Sequence, residues 1–381
     1  MATFFGLPSE IKLQIIEITA PDDIENFALC CKLVYGLAGK TLRQHVADKE
    51  SYSGLRFPQL QIDKNQVLAD YYKLLDIAEN RRLRLYPKNI VLDLDPLAMV
   101  DPNTNMDARH DSLRVLHDLE SPYIRKDEMK ACYNRICAGG RETANSLLLT
   151  LLPNVDRMSI YEKQGHGIEI LNTIEKISKI NQEAPSSSWE KLSLTKLHEV
   201  HIGSLNRGDR ASALVEAFMN LPSLRVVRGS YLGRAYAFDN WVDPELRSNV
   251  TEFHFRNCAL GTQQLRRLFK HVRALEVFSY SDYHVEEGKS AVYGSGAIID
   301  TLNSYARNTL TYLNYSSTGY DDDDDSRPYS GTLRSLEALK TLRITRAILI
   351  EQRPSHPLVH QLPSSLEDLE LVDLFPWWML N

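Results

Sequence analysis

The chain has 381 residues, 43% of them hydrophobic and 25% charged, which supplies ample apolar material for a core and excludes wholesale disorder. A formal net charge of -6 gives no global attraction to phosphate backbones or anionic lipid, so neither nucleic acid nor a membrane surface is an expected principal partner. Without a basic stretch leading into a long apolar run, and with five cysteines that form no CxxC pair, the expected setting is cytoplasmic or nuclear, with reduced and mostly buried thiols.

The first predicted element opens at Leu7-Pro8-Ser9-Glu10-Ile11, where Ile11, Ile15 and Ile18 recur at helical spacing and Leu13 and Ile16 widen the stripe. Pro21 cannot continue that helix, and Asp22 followed by Glu25 reads as a capping box for the next one. Ile24, Phe27, Ala28, Cys31 and Tyr35 carry a second helical stripe, before Gly36 and Gly39 are expected to loosen the chain. On periodicity alone this is a helical hairpin packed on the rest of the chain.

The order Leu7-Pro8, Glu10-Ile11, Ile15-Ile16, Asp23-Ile24, Cys31-Lys32 and Tyr35 resembles the F-box over residues 4 to 45, in the version found in fungal F-box proteins. The resemblance implies a small all-α module that presents a helical surface to a Skp-type adaptor and through it to a cullin. It also implies that Leu7, Pro8, Ile11, Ile15, Ile24 and Tyr35 contribute to that contact.

A polar connector is expected near Ser51 to Asn65, then a spacer helix over Val67 to Leu83, then a strand at Ile90-Val91-Leu92-Asp93-Leu94. From there the chain returns to one pattern, an apolar pair followed by two apolar residues flanking a polar one. The flanked residues are Ser159, His201, Arg228, His254, Ser279, Asn314, Arg343 and Glu370, at gaps of 42, 27, 26, 25, 35, 29 and 27. Most gaps fall in the range of leucine-rich repeats. Ile168 to Ile180 reads as a helix inserted in the longest gap and Glu286 to Ser295 as an inserted loop, while Ala213 to Leu221, Thr262 to Val272 and Gly296 to Arg307 read as helices between strands. The stretch Gly140-Arg141-Glu142 with Leu147 to Val155 also resembles the helix-to-strand units of fungal F-box proteins with irregular repeats.

Such alternation of strands and helices fits a closed α/β barrel or an open solenoid. A barrel buries both faces of its strands, yet none of the eight flanked residues is apolar, so one strand face is expected to meet solvent and the solenoid is favoured. The expected fold class is α/β, with an F-box-like module over 1–50, a linker and spacer helix over 51–88, and an open leucine-rich-repeat-like solenoid over 89–381. Successive repeats would set His201, Arg228, His254, Asn314 and Arg343 side by side as a substrate-binding row. Its two arginines give it a basic bias suited to an acidic or phosphorylated segment.

Catalytic and metal chemistry finds no foothold. His198-Glu199-Val200-His201 lacks the spacing of a zinc helix, and Gly165-His166-Gly167 and Gly294-Ser295-Gly296 are too short for a phosphate cradle. The run Asp321 to Asp325 lacks the spaced ligands of a calcium loop and reads as a solvated loop, and Phe375 to Leu380 as a cap on the last repeat. The expected function is therefore non-enzymatic and without a cofactor: the substrate receptor of an SCF-type ubiquitin ligase, or alternatively a stand-alone repeat scaffold.

Overall fold

A computed structural model of the chain describes residues 4–19, 23–57, 64–94, 116, 119, 121–138, 140–162, 167–185, 192–204, 211–233, 247–282, 295–316, 332–350 and 360–372. Contacts gather into two compact units. One comprises Met1–Val91, Met99–Asp156 and Pro185–Thr195, the other Leu92–Ala98, Arg157–Ala184 and Lys196–Asn381. The aspartate run, the terminal tryptophans, His166 and Gly294 lie outside the described residues.

The first unit opens with three helices, α1 (Ser9–Ile18), α2 (Ile24–Leu29) and α3 (Lys32–Tyr52). Ile16, Ile24, Ala28, Val34 and Ala38 form their shared core, and Phe4 packs edge-on against Phe27 with ring centroids 5.6 Å apart. The second helical stripe does not run on to Gly36 as the sequence suggests. Cys31 turns extended, at φ -162 and ψ 159, and its Sγ accepts a hydrogen bond from the Val34 N–H, so a new helix starts there. Gly36 and Gly39 then lie inside α3 with open space around them.

Asp22, the expected cap of the second helix, lies outside the described residues; α2 begins after Asp23, which makes no side-chain cap bond, and the Glu25 carboxylate is engaged across the module. It accepts from Lys49 Nζ at 2.9 Å and stands 3.2 Å from Nε2 of buried His45, whose Nδ1 is 3.1 Å from the Tyr86 hydroxyl. Arg82 and Asp48, 2.5 Å apart, add a second tie to α3.

The supposed polar connector holds a strand, β1 (Gly54–Phe57), with Leu55 and Phe57 buried. Its alternation is too short to stand out from the polar residues that follow. Then come α4 (Lys64–Glu79), β2 (Asn89–Leu94), α5 (Lys126–Cys137) and the deeply buried α6 (Arg141–Leu149).

The second unit carries β3 (Arg157–Glu162), α7 (Ile168–Glu183), β4 (Glu199–Ser204), α8 (Ala211–Met219), β5 (Val226–Ser230), β6 (Glu252–Cys258) and α9 (Thr262–Lys270). It continues with β7 (Val277–Asp282), α10 (Ser295–Tyr305), β8 (Tyr312–Ser316), β9 (Thr341–Thr345), α11 (Arg346–Ile350) and β10 (Asp368–Val372). Strand order follows the chain from β3 to β10, and every neighbouring pair is parallel. Among the described residues β10 pairs with β9 alone, so the sheet is open rather than a barrel.

One joint recurs at the start of these strands. Two consecutive N–H groups, those of Arg225 and Val226, donate to the His198 carbonyl, and Thr251 with Glu252 does the same to Arg225. The pattern repeats from Glu276 and Val277 to Thr251, from Thr311 and Tyr312 to Glu276, from Lys340 and Thr341 to Thr311, and from Glu367 and Asp368 to Lys340. Each turn of the array thus satisfies the polar backbone of the next. Side chains reinforce the joints: Ser248 Oγ donates to the Met219 carbonyl, Thr309 Oγ1 to Leu275 and Ser365 Oγ to Leu339.

The inner face of the sheet is apolar. Val200, Val227, Phe253, Phe278, Leu313 and Leu342 align in one buried row, and Ile202, Gly229, Phe255, Tyr280, Tyr315 and Ile344 in the next. Phe278 sits at the hub of an aromatic cluster, edge-on to Phe269 at 5.1 Å and stacked on Tyr280 at 6.1 Å. The Tyr280 hydroxyl donates to the Cys258 carbonyl and accepts from the Leu260 N–H, so this large ring is buried without an orphaned polar atom. Gly229 interrupts the second row because a Cβ there would stand 2.6 Å from both Phe255 and Leu232.

Burial of the thiols differs from the sequence reading. Only Cys258 is fully buried, its pKa pushed up to about 12 by that burial, while Cys30 is exposed and Cys31, Cys132 and Cys137 are half-buried. Among the described residues no helix is long and apolar enough to cross a membrane.

Candidate functional site

Two surfaces stand out, one in each unit. On α1–α3 the packing places Ile24 entirely inside the helical core, so it cannot touch a partner directly. Leu7 and Ile15 are half-buried, while Pro8, Ile11 and Tyr35 face solvent, Tyr35 at 61% exposure. Leu13 and Ile18, read in the sequence only as part of the first stripe, are exposed as well, Ile18 at 80%, and three further large side chains before Tyr35 escaped the sequence reading: Phe5, Leu29 at 77% and Leu33. The signal of Leu29 and Leu33 was present but masked by the assumption of one continuous second helix. With the break at Cys31 restored, Leu29 ends α2 and Leu33 begins α3, and neither phase points inward.

In the second unit the parallel register carries the flanked residues into one line, Ser159, His201, Arg228, His254, Ser279, Asn314, Arg343 and Glu370, each paired with the next across the sheet. All five residues expected in the row are brought together on the outer face, half-buried to exposed. Their electrostatics overturn the expected basic bias. Arg228 Nε bonds the Glu199 carboxylate at 2.5 Å, and Arg343 Nε lies 3.3 Å from Glu370. His254 Nε2 is 3.2 Å from Glu252.

His201 is held below its ordinary value of 6.5, first by burial and then by the Arg228 guanidinium beside it, so it is neutral near pH 7. Its ring sits between the Ser230 hydroxyl at 3.0 Å and the Tyr161 hydroxyl at 3.4 Å. The countercharges were legible in principle, since in a parallel ladder a residue two places before the row lies beside the row on the adjacent strand. Four strand steps also separate Arg228 from Arg343, roughly 19 Å at strand spacing, too far for one carboxylate or phosphate to bridge. In the middle of the row the groups are uncharged, with Asn314 Nδ2 donating to Ser279 Oγ at 3.1 Å.

Sequential parallel strands, the recurring backbone joint and one polar face define the second unit as an open α/β repeat array of leucine-rich-repeat-like form. No family model matches the chain, and no curated protein matches it. Among solved structures it matches a crystal structure of a TLR13–ssRNA13 complex at 11% identity, over 84% of this chain and 47% of that one, with a TM-score of 0.21. The chain thus spans about half the length of that protein, and a likeness this loose carries no weight.

Proposed function

We propose that the chain is a non-catalytic substrate receptor of an SCF-type (Skp–cullin–F-box) ubiquitin ligase. Its helices α1–α3 dock on a Skp-type adaptor, and its repeat array holds a protein substrate. The observation that carries this reading is the surplus of apolar surface between Phe5 and Tyr35: the module has a core of its own, yet it leaves Phe5, Ile11, Leu13, Ile18, Leu29, Leu33 and Tyr35 exposed. Apolar surface gains about 25 cal/mol per Å² when a partner covers it, so these side chains are suited to an anchor contact. The F-box resemblance of the same residues supplies the partner. Ile24 serves from beneath, fixing α2 against α3.

The role of the chain is then proximity. Holding the substrate beside ubiquitin-transferring subunits makes the transfer effectively intramolecular, with no chemistry asked of this protein. His201, Arg228, His254, Asn314 and Arg343 remain the proposed substrate row. An acidic ligand there would have to displace Glu199 and Glu370 from their arginines, so the row recognises its ligand through uncharged hydrogen bonds centred on Ser279 and Asn314.

The test is co-purification of the full chain with a recombinant Skp-type adaptor, comparing the parent with Leu7→Ala/Pro8→Ala. Loss of the adaptor by a variant with unchanged circular dichroism is the expected result. Equal adaptor binding by parent and variant, or none by the parent, would leave the stand-alone scaffold in its place.

A further inference from the structure

The arginines of the row, Arg228 and Arg343, are each paired with a carboxylate, so positive charge without a partner is sought elsewhere. It gathers where α9 runs down into β7. In α9, Leu265, Leu268 and Phe269 are buried, and Arg266 and Lys270 stand exposed one helical turn apart. Beyond the cap residue His271 comes Arg273, also exposed, and Arg247 joins them from the preceding repeat. The Ser248 N–H donates to the His271 carbonyl at 2.7 Å and the Arg273 N–H to the Ser248 carbonyl at 3.3 Å, which holds Arg247 and Arg273 on either side of one backbone bridge.

Among the described residues none of Arg247, Arg266, Lys270 and Arg273 makes an ion pair or a side-chain hydrogen bond. Glu276 is exposed nearby and forms no ion pair, while Glu252 on β6 is turned to His254. Among the described residues, four cations without an ion pair contrast with a net charge of -6 for the whole chain. A lone last-turn lysine is explained by the helix dipole. Charges on a neighbouring repeat and beyond the helix end are not.

We propose that this corner is a second docking site, distinct from the adaptor surface and from the row on the sheet, and that its occupant is a short acidic segment of a partner protein. The proposal does not rest on the ligase reading. Charge and spacing select the occupant: Arg266 and Lys270 stand about 6 Å apart along the helix, close to the separation of alternate residues of an extended peptide at about 3.3 Å each. Alternating or consecutive carboxylates on such a segment match this cluster in charge and spacing. A nucleic acid needs a longer basic track and would carry its further phosphates against net negative charge.

The experiment uses the full chain and a fluorescein-labelled octapeptide of aspartate and glutamate, read by fluorescence anisotropy at about 0.05 M and 0.15 M salt, where screening differs. A peptide with asparagine and glutamine in the same order and a single-stranded octanucleotide are the comparison probes. The acidic peptide is expected to bind at both salt concentrations, at least tenfold tighter than the amide peptide and tighter than the oligonucleotide. Arg266→Gln/Lys270→Gln/Arg273→Gln is expected to weaken it at least tenfold. Lys126→Gln/Lys130→Gln/Lys196→Gln, which removes the same charge from exposed positions elsewhere, is expected to change it less than twofold. Should the first triple variant melt early, the single Lys270→Gln is read instead, with a threefold loss expected.

Equal weakening by both triple variants would reduce the effect to net charge and overturn the proposal, as would absence of peptide binding or preference for the oligonucleotide. Adaptor co-purification of the α9 variant is expected to match the parent, which keeps this site's failure apart from failure of the ligase reading.

Discussion

In α1–α3 the core is made of Ile16, Ile24, Ala28, Val34 and Ala38, while Ile18, Leu29 and Tyr35 stand in water. In β3–β10 the reverse holds: Phe253, Phe255, Phe278, Tyr280 and Tyr315 are fully enclosed, and the outer face carries polar groups several of which are bonded to one another. The contrast teaches what each region lacks. The helical module has its backbone satisfied locally and leaves apolar surface to be covered from outside, whereas the array is complete within itself except where charge is left over.

The largest expected effect tests the self-sufficiency of the array. Phe278→Ala removes the hub of the aromatic cluster and should cost about 3–5 kcal/mol, measured by urea unfolding. A loss below about 1 kcal/mol would mean that the ring is not packed as described.

Next comes Gly229→Ala. Its Cβ would meet Phe255 and Leu232 at 2.6 Å, so a single methyl group should destabilise by about 1–3 kcal/mol through forced displacement of the Phe255 ring. A neutral result would show that the second inner row has slack.

The helical module should respond in the opposite direction. Gly36→Ala and Gly39→Ala add a methyl where nothing lies within 4 Å and should each stabilise α3 by about 0.5–1 kcal/mol, seen as a rise in the melting temperature. Destabilisation at either would place that glycine against a neighbour.

The smallest effect expected is that of acid on Glu25. Hydrogen bonding by Lys49, and then by His45, holds its carboxyl below the ordinary 4.5. A depressed carboxylate contributes stability above its unfolded pKa and loses it as pH falls through the folded one. A melt from pH 6 to pH 3 should therefore show less acid sensitivity in Glu25→Gln than in the parent. Because Glu25 is half-exposed, the difference is expected to be slight.

Much of the array was legible because its strands alternate and its repeats keep returning: all eight flanked residues stand in one register. Period-two alternation is a local signal, and the parallel ladder does the rest. The pairing of Arg228 with Glu199 was not legible from either strand alone, since it depends on which strand lies beside which. Nor was the break at Cys31, where a thiol takes the cap position that serine or aspartate usually fills. β1 was missed because four residues give too little alternation to register against a polar background. The burial of Ile24 follows from the same shortened helix, whose few residues must turn their one apolar stripe inward.

The joint between successive turns, in which two adjacent amides grasp one carbonyl of the turn before, separates the length of a connection from the phase of the strand it delivers. Whatever chain lies between His198 and Arg225, or between Glu276 and Thr311, the next strand is caught at the same point. In genetic terms, in-frame insertions between joints are tolerated as loops, and the array can diversify its edges by gaining or losing residues there. A deletion of one residue inside a strand has no such refuge: it turns the face of the residues that follow it in that strand, and selection should spare the strands from changes in length while permitting them in the connections.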